Sequence, residues 1–345
     1  MNTRRHGDPV KSRLTDTARW RDVVVVLLLL VTQSVTFAYA DTKNSIPHIG
    51  YLVLSPFADQ PSPERAGFIR GLRELGYEDG RNIVIEYRSA EGDPEVLPFL
   101  AQELVDLKMK AIVTIGSPQI RAVREVSHTV PIVMMGAADP VRLGFVRSFS
   151  LPGTNVTGMT AIQTELGPKR LQILKSAFPR VAHVALVVDR SNPGIEPELS
   201  AIQAASRQIG VRISVVEIPD ETDDDALRAR LSATPSDAIM TIIDPRVSAY
   251  RHFLPQYARE RRIPAMFDWE SFAEAGGLMC YAPDFSDMAR RAASFVDKIL
   301  KGANPAELPI QQPTEIHLTL NRKTARSIGV TFPESTLLRA DRVIE

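Results

Sequence analysis

The chain has 345 residues, 41 Lys and Arg against 41 Asp and Glu, 44% apolar residues and a single cysteine. That length exceeds one ordinary core and predicts two domains of a soluble globular protein. With zero net charge and no basic run or acidic tail, nothing in the composition points to nucleic acid or to a disordered arm.

Residues 1–40 read as a secretory signal peptide and not as part of the fold. They carry Arg4, Arg5, Lys11, Arg13, Arg19 and Arg21, then the apolar run Val23 to Val31, then Ala38-Tyr39-Ala40 before Asp41. The apolar run is shorter than the roughly 20 residues a bilayer span needs. No cysteine stands directly after the cleavage site, so no thiol is there to be lipidated. The expected location is the periplasm. Cys280 lies in an apolar strand-like setting and reads as a buried, inert thiol, so the exported chain holds no internal disulfide.

From residue 46 onward strand and helix patterns alternate. His48–Leu54 is a strand. Ser62-Pro63-Glu64 opens a helix that runs to Leu75 and stops at Gly76, with cap, proline and terminal glycine in the expected places. A strand at Asn82–Tyr87, a helix opened by Asp93-Pro94, a strand at Ala111–Ile115 and a helix opened by Ser117-Pro118 follow. A strand at Pro131–Ala137 leads to Asp139-Pro140, which is expected to cap a fourth helix. Thr154–Ala161 is strand-like and Glu165–Ala177 helical.

The alternation then restarts. Strands are expected at His183–Val188, Arg212–Ile218, Ala238–Ile243, Ile263–Phe267 and Gly277–Tyr281. Helices fall between them. One starts at the acidic run Thr222–Asp225, where negative charge suits the helix dipole. Asp287–Leu300 is amphipathic, Pro309–Leu320 is extended, and Arg322–Ile328 is a short helix. The fold class is therefore α/β, with two doubly wound parallel-sheet lobes in tandem. No Pro, Gly or Ser-rich linker parts them, so the join near residues 155–162 reads as a hinge of crossing strands.

Ligands of open α/β sheets bind outside the carboxyl ends of the strands. The candidates there are Ser55, Phe57, Gly116, Ser117 and Asp139 in the first half, and Ser191, Asn192, Asp244, Asp268 and Trp269 in the second. Helix N-termini and hydroxyls suit a carboxylate, and an Asp suits an ammonium. Trp269, with Phe57 and Tyr281, can supply an apolar wall. Ser117 and Asp139 also read simply as helix caps, Asp244 as a turn residue and Trp269 as packing between the halves. Signatures of hydrolase, zinc protease, P-loop and dinucleotide sites are missing, and no histidines stand at metal-ligand spacing. No catalytic residue, cofactor or metal is expected.

Several motifs resemble the substrate-binding proteins of bacterial ABC transporters with a type I periplasmic-binding-protein fold, in the branch that includes tryptophan- and tyrosine-binding members. They are Gly67–Tyr77, Gly80–Tyr87, Pro131–Val133, Asp139-Pro140, Pro152–Gly158, Ile299–Gly302, Leu308–Pro313 and Arg339–Ile344. The resemblance implies two lobes joined by three crossing segments with a ligand closed between them. It places residues 41–158 and 276–303 in lobe 1, and 159–275 and 304–345 in lobe 2. It implies capture of a small solute, an amino acid or related aromatic or polar compound, and delivery to a membrane permease and its ATPase. The chain itself is expected to be a monomer and not an enzyme. The alternatives are a ligand-sensing module for a membrane receptor and an exported α/β enzyme using Asp139, Asp244 or Cys280.

Overall fold

The computed structural model describes residues 46–57 and 60–345; the expected signal peptide lies outside them. In the first lobe, β1 (His48–Val53), β2 (Val84–Ser89), β3 (Ile112–Thr114), β4 (Ile132–Met134) and β5 (Val156–Gly158) form a parallel sheet in the order β2-β1-β3-β4-β5. Its helices are α1 (Pro63–Glu74), α2 (Leu97–Asp106) and α3 (Ser117–Val126). The strand pleat sorts side chains between two cores. Ile49 and Tyr51 face one cluster with Phe68 and Leu72, whereas Leu52 and Leu54 face another with Leu104 and Ile120.

The second lobe carries α4 (Gln163–Ala177), β6 (His183–Val188), α5 (Ile195–Gln208), β7 (Arg212–Glu217), α6 (Asp224–Ser232), β8 (Ala238–Thr241), α7 (Pro245–Ala249), α8 (Phe253–Arg261), β9 (Ala265–Phe267), α9 (Glu270–Glu274) and β10 (Met279–Pro283). After α10 (Phe285–Leu300) come β11 (Ile316–Asn321), α11 (Arg322–Ile328), α12 (Glu334–Leu337) and β12 (Arg342–Ile344). The sheet order is β12-β11-β10-β9-β8-β6-β7, parallel except where β10 meets β11. On β6, Val184, Leu186 and Val188 enter one core and Ala185 and Val187 the other. Cys280 is fully buried, and burial, helped by Glu270 and Asp268, pushes its thiol well above the ordinary range. Among the described residues no helix is long and apolar enough to cross a membrane.

Residues 276–303 divide between the sheets, which corrects the expectation that they all return to the first lobe. β10 pairs with β9 and β11 in the second sheet. Only α10 goes back, because its apolar stripe of Phe285, Met288, Ala289, Ala292 and Val296 packs into the first-lobe core. Against α1 the approach is very close. A Cβ on Gly67 would stand 2.2 Å from the Ser286 carbonyl oxygen, and one on Gly71 2.2 Å from that of Arg290. The four-residue spacing puts both glycines on the face that touches α10.

Asp139-Pro140 does not open a helix. Residues 140–144 form turns, in which Asp139 Oδ1 accepts the N–H groups of Val141 (3.1 Å) and Arg142 (3.0 Å). Gly144, with φ of 70°, then breaks any continuation. The cap chemistry was legible, but the sequence after it does not sustain a helix.

The chain passes between the lobes at residues 158–162, 283–285 and 311–316. These passes are tied together: Gln311 N–H donates to Gly158 O and Thr160 N–H to Gln311 O, both at 2.9 Å, and Asp284 N–H donates to Glu315 O at 3.2 Å. Ile162 takes a left-handed conformation (φ 44°) as it enters α4.

Candidate functional site

A small cavity lies where the carboxyl ends of the two sheets face each other. Its wall is Ile115, Gly116, Ser117, Gly136 and Phe285 from the first lobe, and Gln163, Asn192, Ile243, Pro245 and Trp269 from the second. Its volume is about 10 Å³, the lower limit for one water molecule.

On the first-lobe side the chain turns sharply into α3. Gly116, not Ser117, is the cap residue, with φ of 99°. Ser117 is thus the first helical residue and its hydroxyl is free of the capping duty expected for it. That hydroxyl faces the second lobe: a Cβ on Gly194 would stand 2.9 Å from Ser117 Oγ and 2.8 Å from Ala138 Cβ.

The second-lobe side is a layer of buried acids. Asp244, at the head of α7, accepts from the N–H groups of Arg246 (2.7 Å) and Val247 (2.9 Å) and from Asn192 Nδ2 (2.6 Å). Asn192 in turn accepts from Gly194 N–H at 2.8 Å, which fixes its amide at the cavity wall. Asp268 accepts from the Thr241 hydroxyl. Glu198 on α5 meets Arg170 on α4 at 2.9 Å, both with side chains 0% exposed. Arg170 Nε also donates to the Tyr281 carbonyl, while Arg170 Nη2 and Glu198 Oε2 have no hydrogen-bond partner.

Burial dominates the ionisation of this layer. It pushes Glu198 up to about 7, with Arg170 pulling the other way. Burial, then the charge of Asp189, pushes Asp244 up to about 7. Asp268 is raised by burial, partly offset by Arg170 and by the Thr241 hydrogen bond. These three buried acids form an acidic floor in which burial disfavours the charged forms, with Arg170 drawing Glu198 and Asp268 the other way. A cation brought against such a floor draws its acids toward their ionised forms.

Trp269 spans the lobes. It leaves β9 in the second sheet, its ring stacks on Phe285 of α10 at 4.4 Å and 17°, and its indole N–H donates to Glu64 Oε1 of α1 at 2.9 Å. Both partners belong to first-lobe helices.

Of the residues singled out by sequence, Gly116, Ser117, Asn192 and Trp269 meet at the cavity, and Asp244 stands directly behind Asn192. Ser191 instead bonds Asp189, which Arg246 clamps at 3.0 Å, so it shapes the loop behind the cavity. Ser55 is elsewhere, its carbonyl accepting from Ser89. Phe57 packs edge-on to Tyr87 under the Arg65 guanidinium. Asp139 serves its turn, and Tyr281 packs into the second-lobe core on the other side of β10. These five do not line the cavity. Phe285, Gln163 and Pro245 do, and were missed: each reads locally as an ordinary helix-start residue.

The comparisons with known proteins agree with this architecture. A tyrosine-binding protein of Clostridioides difficile is 24% identical over 280 residues, 80% of each chain. Two solved structures cover 87% of this chain and 100% of their own, each at 23% identity. One is a conserved domain protein from Vibrio cholerae, with a TM-score of 0.80. The other is the ABC domain in complex with L-Trp from Streptococcus pneumoniae, with a TM-score of 0.79. Residues 58–344 match the family described as ABC transporter substrate binding protein, and a match over that much of the sequence makes the chain a member of the ABC transporter substrate-binding protein family.

Proposed function

We propose that this protein is exported to the periplasm, binds a free amino acid of the aromatic class between its lobes, and hands it to an ABC permease. The observation that carries the reading is the polarity of the cavity. The Ser117 hydroxyl and the amino end of α3 stand on one wall, and Asn192, backed by the buried Asp244, stands on the other. A zwitterion matches both walls, with its carboxylate toward the helix end and its ammonium toward the acids. The Trp269–Phe285 stack supplies aromatic surface beside them. The similar proteins described as tyrosine-binding and as bound to L-Trp support the same class.

A cavity of about 10 Å³ does not admit an amino acid, so the ligand enters only when the lobes part about the three hydrogen-bonded crossings. On this reading lobe 1 comprises residues 41–158 with α10, and lobe 2 the remainder of the exported chain, which acts as a monomer. No bond is made or broken; affinity comes from preferential binding to the closed form.

A thermal-shift screen of the purified chain against the twenty amino acids, simple amines and simple acids tests the reading. A ligand at about 100 times its dissociation constant adds about 2.7 kcal/mol of stability. Shifts confined to aromatic amino acids, and reduced in Ser117→Ala, support the proposal. Shifts with amines or acids alone, or none at all, sink it.

A further inference from the structure

Gln119 sits one turn into α3 and is 0% exposed, yet neither its Oε1 nor its Nε2 has a hydrogen-bond partner. The local reason is visible. Gln119 stands three residues after the cap Gly116, where a Gln side chain ordinarily reaches back to the cap's backbone N–H. Here the Gly116 N–H already donates to Gly136 O at 2.8 Å, so the amide arrives with nothing to bond. Leaving such an amide unpartnered is costly.

Its end points toward the cavity. A Cβ on Gly116 would lie 2.9 Å from Gln119 Oε1 and 3.4 Å from Pro245 Cγ, and both Gly116 and Pro245 line the cavity. Because residue 116 is glycine, no side chain stands between the amide and that space. The amide thus lies beside the amino end of α3 and next to the boundary of the second lobe.

We infer that Gln119 is a specificity-determining residue that bonds both charged groups of an α-amino acid at once. Its Nε2 donates to the carboxylate at the helix end, and its Oε1 accepts from the ammonium that faces the acidic floor. This deepens the proposed function and rests on it. An amide carries one donor face and one acceptor face side by side, and the α-amino acid head group presents the matching pair on a single carbon. A free amine or a deaminated acid satisfies only half of it.

The test uses calorimetric titration and thermal unfolding of the full chain and of Gln119→Met, with L-tyrosine, tyramine (no carboxylate) and the deaminated acid of tyrosine (no ammonium) as probes. Methionine keeps the volume and removes the unpartnered polar atoms. Gln119→Met is expected to weaken L-tyrosine binding by about tenfold to a hundredfold and to weaken the two half-ligands less. In the ligand-free protein it is expected to raise the melting temperature by a few degrees, since an unbonded buried amide is gone.

A lower melting temperature would show that the amide serves the fold, and would overturn the inference. Equal weakening of all three probes, or none, would overturn it as well. A wild type that binds L-tyrosine while Gln119→Met binds it equally leaves the amino-acid reading intact and removes this one. A wild type that binds neither L-tyrosine nor any other aromatic amino acid removes both.

Discussion

Glu198 is expected to make the protein less stable as pH rises toward neutrality. Its side chain is wholly buried, and burial raises its pKa from 4.5 to about 7 in the folded state. Between those two values the folded chain holds a proton that the unfolded chain has already released. The stabilisation is therefore fully present below about pH 4.5 and is lost as pH climbs through about 7. The shift of about 2.5 pH units corresponds to about 3 kcal/mol, or roughly 5–10 °C in melting temperature for a chain of this size.

Glu198→Gln removes the titration and keeps the shape, with the amide oxygen still able to accept from Arg170 Nη1 at 2.9 Å. The assay is the melting temperature of both proteins from pH 4 to pH 8. The readout is their difference, because every other carboxylate titrates alike in both. The variant should gain on the wild type steadily from about pH 4.5 to pH 7.5. A constant difference means that the Arg170 contact outweighs burial and holds Glu198 ionised throughout. A difference of the opposite slope refutes the reasoning altogether.

Three other outcomes follow from the packing. Trp269→Leu removes the Phe285 stack, worth about 0.5–1.5 kcal/mol, and the hydrogen bond to Glu64, worth about 1.5–3 kcal/mol; the ligand-free radius of gyration by small-angle scattering should increase, and an unchanged value would count against Trp269 as the bridge between the lobes. Gly71→Ala puts a Cβ 2.2 Å from the Arg290 carbonyl oxygen and should destabilise the first lobe by about 1–3 kcal/mol in urea unfolding. Asp284→Ala strips the cap of α10, whose carboxylate accepts from Asp287 N–H at 2.9 Å, and should cost about 1 kcal/mol by the same measurement.

The sequence showed the fold wherever local chemistry decides it. Ser62 caps α1 and Asp223 caps α6, the latter through Asp225 and Ala226 N–H groups at 2.9 and 3.0 Å. The amphipathic stripe of α10 and the alternation along β6 were equally plain. Pairing partners decided the rest. Met279–Pro283 looks like any strand, and only its contacts with β9 and β11 assign it to the second sheet. Residues 140–144 carry a sound cap but no tertiary support for a helix. At the site, Asn192 and Trp269 were visible because polar or aromatic residues after a strand are conspicuous. Gln119 was not, since with Ser117 read as the cap it is one more residue of the first helical turn, and only the structure shows its amide buried without a partner.

Trp269 and Gln119 act on the proposed closure in opposite ways. A ligand shifts an equilibrium between open and closed forms only by its differential affinity for the two. Trp269 closes the lobes with protein groups alone, through Phe285 and Glu64, so it favours the closed form before any ligand arrives. The buried amide of Gln119, unbonded within the protein, disfavours that form until something supplies its two bonds. The acidic floor adds to the second tendency, because burial disfavours the charged forms of its acids until a cation favours them. With Trp269 alone the lobes would close on nothing; with Gln119 and the floor alone they would rarely meet. On the proposed reading, they together make closure conditional on a ligand bearing both a carboxylate and an ammonium. The double variant Trp269→Leu with Gln119→Met should therefore bind L-tyrosine more weakly than either single variant, and relative to Trp269→Leu it should lose less affinity for tyramine than for L-tyrosine.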